Sequence, residues 1–141
     1  HKMSTTSTTS NDIVYVQAAQ KTVGATADVL AGDAGIDHNV ATDALVLSLP
    51  LIEAGNLGMT YLFRNTGADG NNTITLSPNA LDGINGSIAN SAADSVAGGV
   101  VNKNFVNTKA TANNGDYVVL RAVALTKWYV IGGVGIWASE A

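Results

Sequence analysis

Histidine is the side chain best suited to moving protons near neutral pH, and the chain holds two, His1 and His38. His38 lies in Asp37-His38-Asn39, which reads as a polar, solvated turn. Ser/His/Asp catalysis would require it to meet a serine presented on a strained turn, and no Gly-x-Ser-x-Gly occurs. Glycoside hydrolysis would require two carboxylates at a defined separation. The acidic residues fall mainly in turn-like stretches, where Asp caps backbone N–H groups. The expectation is a protein without catalytic residues, not an enzyme.

Three other patterns invite chemistry. Gly132-Gly-Val-Gly135 has the glycine density of a phosphate loop, but six residues follow it, too few for the helix whose N-terminus would hold the phosphate. Glycines that bend a last strand or let it pack closely beside Trp128 or Trp137 are the simpler reading. Asp69-Gly-Asn-Asn72 offers oxygen ligands of the kind Ca²⁺ takes, without the acidic density of a good site, so a turn is expected there and no metal. Trp128, Tyr129 and Trp137 could present flat faces to a sugar, although a tryptophan in a closing hairpin usually belongs to a core. Asn71-Asn-Thr73 and Asn85-Gly-Ser87 match the glycosylation acceptor pattern, which arises by chance in a chain rich in Asn and Thr.

Composition narrows the class. The chain has 141 residues, a length that suits one domain. Charged residues make up 13%, about half the usual share, so the polar surface must be built from Asn, Thr, Ser and Gly. Seven Lys and Arg are scattered along a chain of net charge −4, which leaves no basic footprint for nucleic acid. Cysteine is absent, which excludes disulfides and thiolate metal sites. No run approaches the ~18 apolar residues of a membrane-spanning helix.

The elements that would position these residues are short strands. Asp116-Tyr-Val-Val-Leu-Arg-Ala-Val-Ala-Leu125 and Lys127-Trp-Tyr-Val-Ile-Gly132 are two apolar runs joined by one polar step, a terminal β-hairpin expected to seal a sheet. Leu45, Leu47 and Leu49 alternate until Pro50 stops the strand; Met59, Tyr61 and Phe63 share another face, and Thr73–Ser77 alternates again. Residues 22–30 are ambiguous between helix and strand. A surface loop is expected over 87–99 and a strand over 100–106. Turn signals every 8–12 residues without a convincing helix predict an all-β fold, an antiparallel β-sandwich or barrel of jelly-roll type. Residues 1–12, rich in Ser and Thr, are expected to form a flexible arm ahead of a single β domain over 13–141. At its junction Ile13, Val14, Tyr15 and Val16 form a β-rich run that suits either an ordinary first strand of the domain's own sheet or addition to a neighbour's sheet, and these four are the expected protein-interface residues.

Six short motifs follow one another: Asp33-Ala-Gly-Ile36, Leu49-Pro50, Asn65-Thr-Gly67, Thr73-Ile-Thr-Leu-Ser-Pro78, Asp82-Gly-Ile-Asn-Gly86 and Trp128-Tyr-Val-Ile131. Their order resembles β-rich structural modules of tailed-bacteriophage virions, over roughly residues 33–137. The resemblance implies a non-enzymatic virion protein: a capsid decoration (cement) protein, trimeric, bound to the major capsid protein on the outer capsid surface and stabilising the head. The alternative it implies is a tail fibre or spike module that binds a host receptor or glycan. Neither calls for a cofactor, a nucleic acid or a membrane.

Overall fold

The computed structural model describes residues 18–89 and 95–140. The expected Ser/Thr arm and Ile13, Val14, Tyr15 and Val16 lie outside the described residues. Twelve strands are found among those described: β1 Gln20–Val23, β2 Ala27–Asp28, β3 Asp37–Val40, β4 Leu45–Ser48, β5 Thr60–Asn65, β6 Ile74–Ser77, β7 Gly83–Ile88, β8 Ser95–Val101, β9 Phe105–Asn107, β10 Tyr117–Ala124, β11 Lys127–Val134 and β12 Ala138–Ser139. Helix is confined, among the described residues, to the 3-10 turns Ala31–Asp33 and Ala54–Asn56. The β class is as expected.

The strands form a seven-stranded sheet in the order β1-β3-β5-β10-β11-β7-β8 and a five-stranded sheet in the order β12-β9-β6-β4-β2. The first six strands alternate between the two. Each return lies parallel to the strand before it, β1 beside β3 beside β5 and β2 beside β4 beside β6. After β6 the pairing is mainly antiparallel, with β7 parallel to β11 as the exception. The sheets are thus mixed, where period-2 patterning had suggested purely antiparallel pairing. Alternation says which side chains face inward, and it reads the same whichever way the neighbouring strand runs.

One core joins the two sheets. In the larger sheet the register sets His38 beside Phe63 and Phe63 beside Val118, Tyr61 beside Leu120, and Ala122 beside Trp128. The smaller sheet supplies Leu45 beside Ile74, and the row Ala27, Leu47, Leu76, Phe105. Except for Ala27, whose side of the sheet is open, these side chains are buried together. Fully burying a large apolar side chain stabilises by about 1.5–3 kcal/mol, so such rows supply most of the driving force.

Three further expectations change. The β10–β11 hairpin exists, with Ala124 paired to Lys127, but it lies between β5 and β7 in the middle of the sheet and seals no edge. The loop expected over 87–99 is largely strand, because Gly83–Ile88 and Ser95–Val101 pair as β7 and β8. Their Gly, Ala and Ser content lets the backbones approach: a Cβ on Gly83 would overlap the backbone at Gly99. The strand expected over 100–106 is broken where Asn102 turns with φ 60°, passing the chain from one sheet to the other.

Candidate functional site

His38 is not in a solvated turn. It occupies β3 with its side chain turned inward, and only 2% of it is exposed. The Nδ1–H donates to the Ile36 carbonyl at 2.8 Å, so Nε2 carries the lone pair. That nitrogen is buried and finds no partner among the described residues. The ring packs against Tyr61 and Phe63, with centroids 5.6 and 5.3 Å away. Burial is the main cause holding its pKa below the ordinary 6.5, with a smaller contribution from the Lys21 charge. Among the described residues no serine stands at Nε2, and the residue is a neutral imidazole at the floor of a cavity. The cavity, about 230 Å³, opens between β1 and β2 and is lined by Lys21, Val23, Ala27, Val29 and Leu47 besides His38. Nearby, the Tyr61 hydroxyl donates to the Leu30 carbonyl at 2.8 Å, and burial pushes its pKa up to about 12.

A second buried polar group sits where the chain leaves β5. Asn65 Nδ2 donates to Asn107 Oδ1 at 2.9 Å, and Asn107 Nδ2 donates to Asp116 Oδ2 and to the Ile136 carbonyl, both at 3.1 Å. The Asn113 N–H adds a second donor to the Asp116 carboxyl group. This network ties β5, β9 and the entry to β10 together across the core. It also accounts for the glycine-rich segment. Gly135, at φ 101°, lies against the Asp116 carboxyl group where a Cβ would overlap it, and a Cβ on Gly133 would come within 2.7 Å of the Tyr117 carbonyl. Gly133 and Gly135 thus serve close packing, against Tyr117, Ile88 and Asp116 and not beside Trp128 or Trp137 as expected, while a Cβ on Gly132 would meet open space.

The candidate cation loop is spent on its own folding. Asp69 Oδ1 accepts the Asn114 N–H at 2.8 Å and Asn72 Oδ1 accepts Asn71 Nδ2 at 3.1 Å. Among the described residues no group of three or more His, Asp and Glu side chains converges. The aromatic platform is not formed either. Trp128 is fully buried, and Trp137 stacks on Phe105 at 5.7 Å while its Nε1–H donates to the Val134 carbonyl. Only Tyr129 of the three keeps an accessible face. A scan against family models finds no match for the chain, and a search of curated proteins finds none.

What the molecule presents outward is apolar sheet. On the outer face of the seven-stranded sheet, Val119 lies between Leu62 and Gly132, and Tyr117 between Arg64 and Val134. Ile131 and Val134 are 47% and 51% exposed, the half-buried Tyr129 pairs with Arg121 on the same face, and the exposed Val123 lies toward the turn end of β10. A polar margin flanks this surface: Arg64 donates to Asn39 at 3.0 Å and pairs with Asp37 at 3.4 Å, and Arg121 Nε donates to Thr60 Oγ1 at 2.9 Å. An apolar centre with a polar rim is the usual anatomy of a protein contact. The register puts Tyr117 and Arg121 on this face with Leu62 and Val134, and Ile131 joins it at the irregularity where the β10–β11 pairing skips from Gly132 to Val130.

Proposed function

We propose that this chain is a non-enzymatic structural subunit that acts through protein–protein contact, and that its setting is the phage particle to which the motif order points. In this reading it is a capsid decoration protein: three copies associate, and the trimer sits on the outer capsid surface against the major capsid protein. The two sheets over one core are read as the halves of a sandwich, a rigid body able to carry load between neighbours. The observation that carries the proposal is the outer face of β10 and β11, where Val119, Ile131 and Val134 stand beside Tyr117 and Tyr129 in one apolar surface with a polar rim.

The test is the mass in solution, by light scattering or sedimentation, of the wild type and of Ile131→Lys. A trimer that falls to monomer in the variant with its circular dichroism unchanged supports the reading. A wild type that is monomeric at high concentration, and that fails to co-sediment with shells of the parent particle, would defeat it. A fibre or spike module is the second reading, favoured by the stacked parallel winding of β1–β6, since such coils stack into elongated shafts.

A further inference from the structure

Both sheets end on the same side of the molecule, at β1 and at β2, and the cavity above His38 opens between those two edges. The edges are finished differently. On β1, Lys21 occupies the inward row beside His38 and pairs with Asp33 at 3.2 Å. An inward charge on an edge strand blocks further pairing. On β2 the inward row Phe105, Leu76, Leu47 ends at Ala27, an exposed apolar residue. The Val29 N–H donates to Ser48 of β4 at 2.8 Å. Backbone groups of successive residues in an extended chain point opposite ways, so the Asp28 N–H and C=O face the open edge. One edge is closed by charge; the other is an apolar row that, among the described residues, ends over a cavity whose floor holds an imidazole nitrogen without a partner.

We infer that the β2 edge is the seat of one more strand, and that its occupant is the Ile13–Val16 segment of the same chain. The argument rests on chain length and pattern. Residues 1–17 precede the described part, which begins two residues before β1. Within them Ile13-Val-Tyr-Val16 is the apolar run, and the rest is mostly Ser and Thr. Residues 17–19 separate it from β1, the same three-residue span that carries the chain from β1 across to β2 through 24–26. Three extended residues reach about 10 Å, the distance between stacked sheets. A strand there continues the alternation between sheets one step backward and sends alternate apolar side chains over Ala27 and Val29 into the cavity. The inference stands apart from the capsid reading, since it concerns how the subunit completes itself.

The test is amide exchange of the full chain, read at Asp28 by NMR. In the wild type the Asp28 amide is expected to exchange at least about tenfold more slowly than in Ile13→Lys/Val14→Lys, which places a charge on each face of the segment. The His38 ring signals should shift in the same variant while those of Trp137 do not. An Asp28 amide that exchanges freely in the wild type, or equally in both, overturns the inference. Protection that is lost on dilution also overturns it, because the strand then comes from another copy. Should the double variant unfold, Val14→Cys/Ala27→Cys decides the matter in a chain with no other cysteine: an intrachain disulfide under mild oxidation supports the seat, and its absence, or dimers alone, refutes it.

Discussion

Among the described residues the buried polar side chains meet two opposite fates: one group forms a network, and others stand singly at separate places in the fold. Around Asn107 each buried polar side chain finds partners: Asn65, Asn107 and Asp116 hand hydrogen bonds from one to the next and join both sheets. His38 and Asp82 are as deeply buried, yet each keeps one atom without a partner among the described residues, Nε2 in the first and Oδ1 in the second. Among the described residues the Asp82 carboxyl group accepts the Ile52 N–H, at 3.0 Å on Oδ2, and burial pushes its pKa above the usual 3.8. A satisfied network rigidifies the core it crosses, whereas an unsatisfied group costs the protein its full desolvation penalty. The contrast separates a network that fastens the core from isolated groups whose burial costs it stability.

The strongest blow to that contrast is Asn107→Leu. It strips one donor from Asp116 and one acceptor from Asn65 in the dry interior, and a loss of about 3 kcal/mol is expected in urea unfolding. A loss below about 1 kcal/mol would mean the network is ornament rather than fastening. Next comes Gly135→Ala, which adds a Cβ against the Asp116 carboxyl group at a φ of 101°. Strain of that kind costs about 2 kcal/mol, and the same unfolding curves would show it.

At the isolated groups the sign should reverse. Asp82→Asn keeps an acceptor for the Ile52 N–H and removes a buried charge, so a gain of about 1 kcal/mol is expected at pH 7. The pH dependence discriminates further. A raised carboxyl pKa means that above 3.8 the unfolded chain has released a proton the folded one still holds, so stability falls as pH rises through the folded pKa. Thermal unfolding of Asp82→Asn should lack that decline; an unchanged profile would reassign it to another group. His38 gives the smallest effect and the opposite slope. Its pKa is lowered, so below 6.5 the unfolded chain takes up a proton first and stability falls with falling pH. His38→Phe should flatten the curve just below pH 6.5 and leave it unchanged above.

Much of the strand content was legible from residues alone. Tyr117–Leu125 and Lys127–Gly132 announce a hairpin through two apolar runs and a polar step, and Leu45, Leu47, Tyr61 and Phe63 declare their inward faces by alternation. β7 and β8 escaped notice because Gly, Ala and Ser carry no period, and only the close approach of Gly83 to Gly99 explains their use. His38 was misjudged for a related reason. Asp37-His-Asn39 looks polar throughout, yet His38 and Val40 alternate with Asp37 and Asn39 as a strand requires. The signal was present but short, and a histidine counted as polar hides it. Asp82 had no sequence signal at all, since its burial follows from the turn that seats it beside Ile52.

By itself, then, the sequence determined a β protein with little charge, its main inward-facing residues and its strongest hairpin, because side-chain alternation is a local property of an extended chain. Tertiary structure alone decided that the first six strands wind in parallel between two sheets, and that the hairpin lies mid-sheet. It also decided that both tryptophans are core and that, among the described residues, β2 ends its sheet beside a histidine whose Nε2 has no partner. Those are questions of which strand lies beside which, and backbone hydrogen bonds between distant segments carry no mark in the residues that make them.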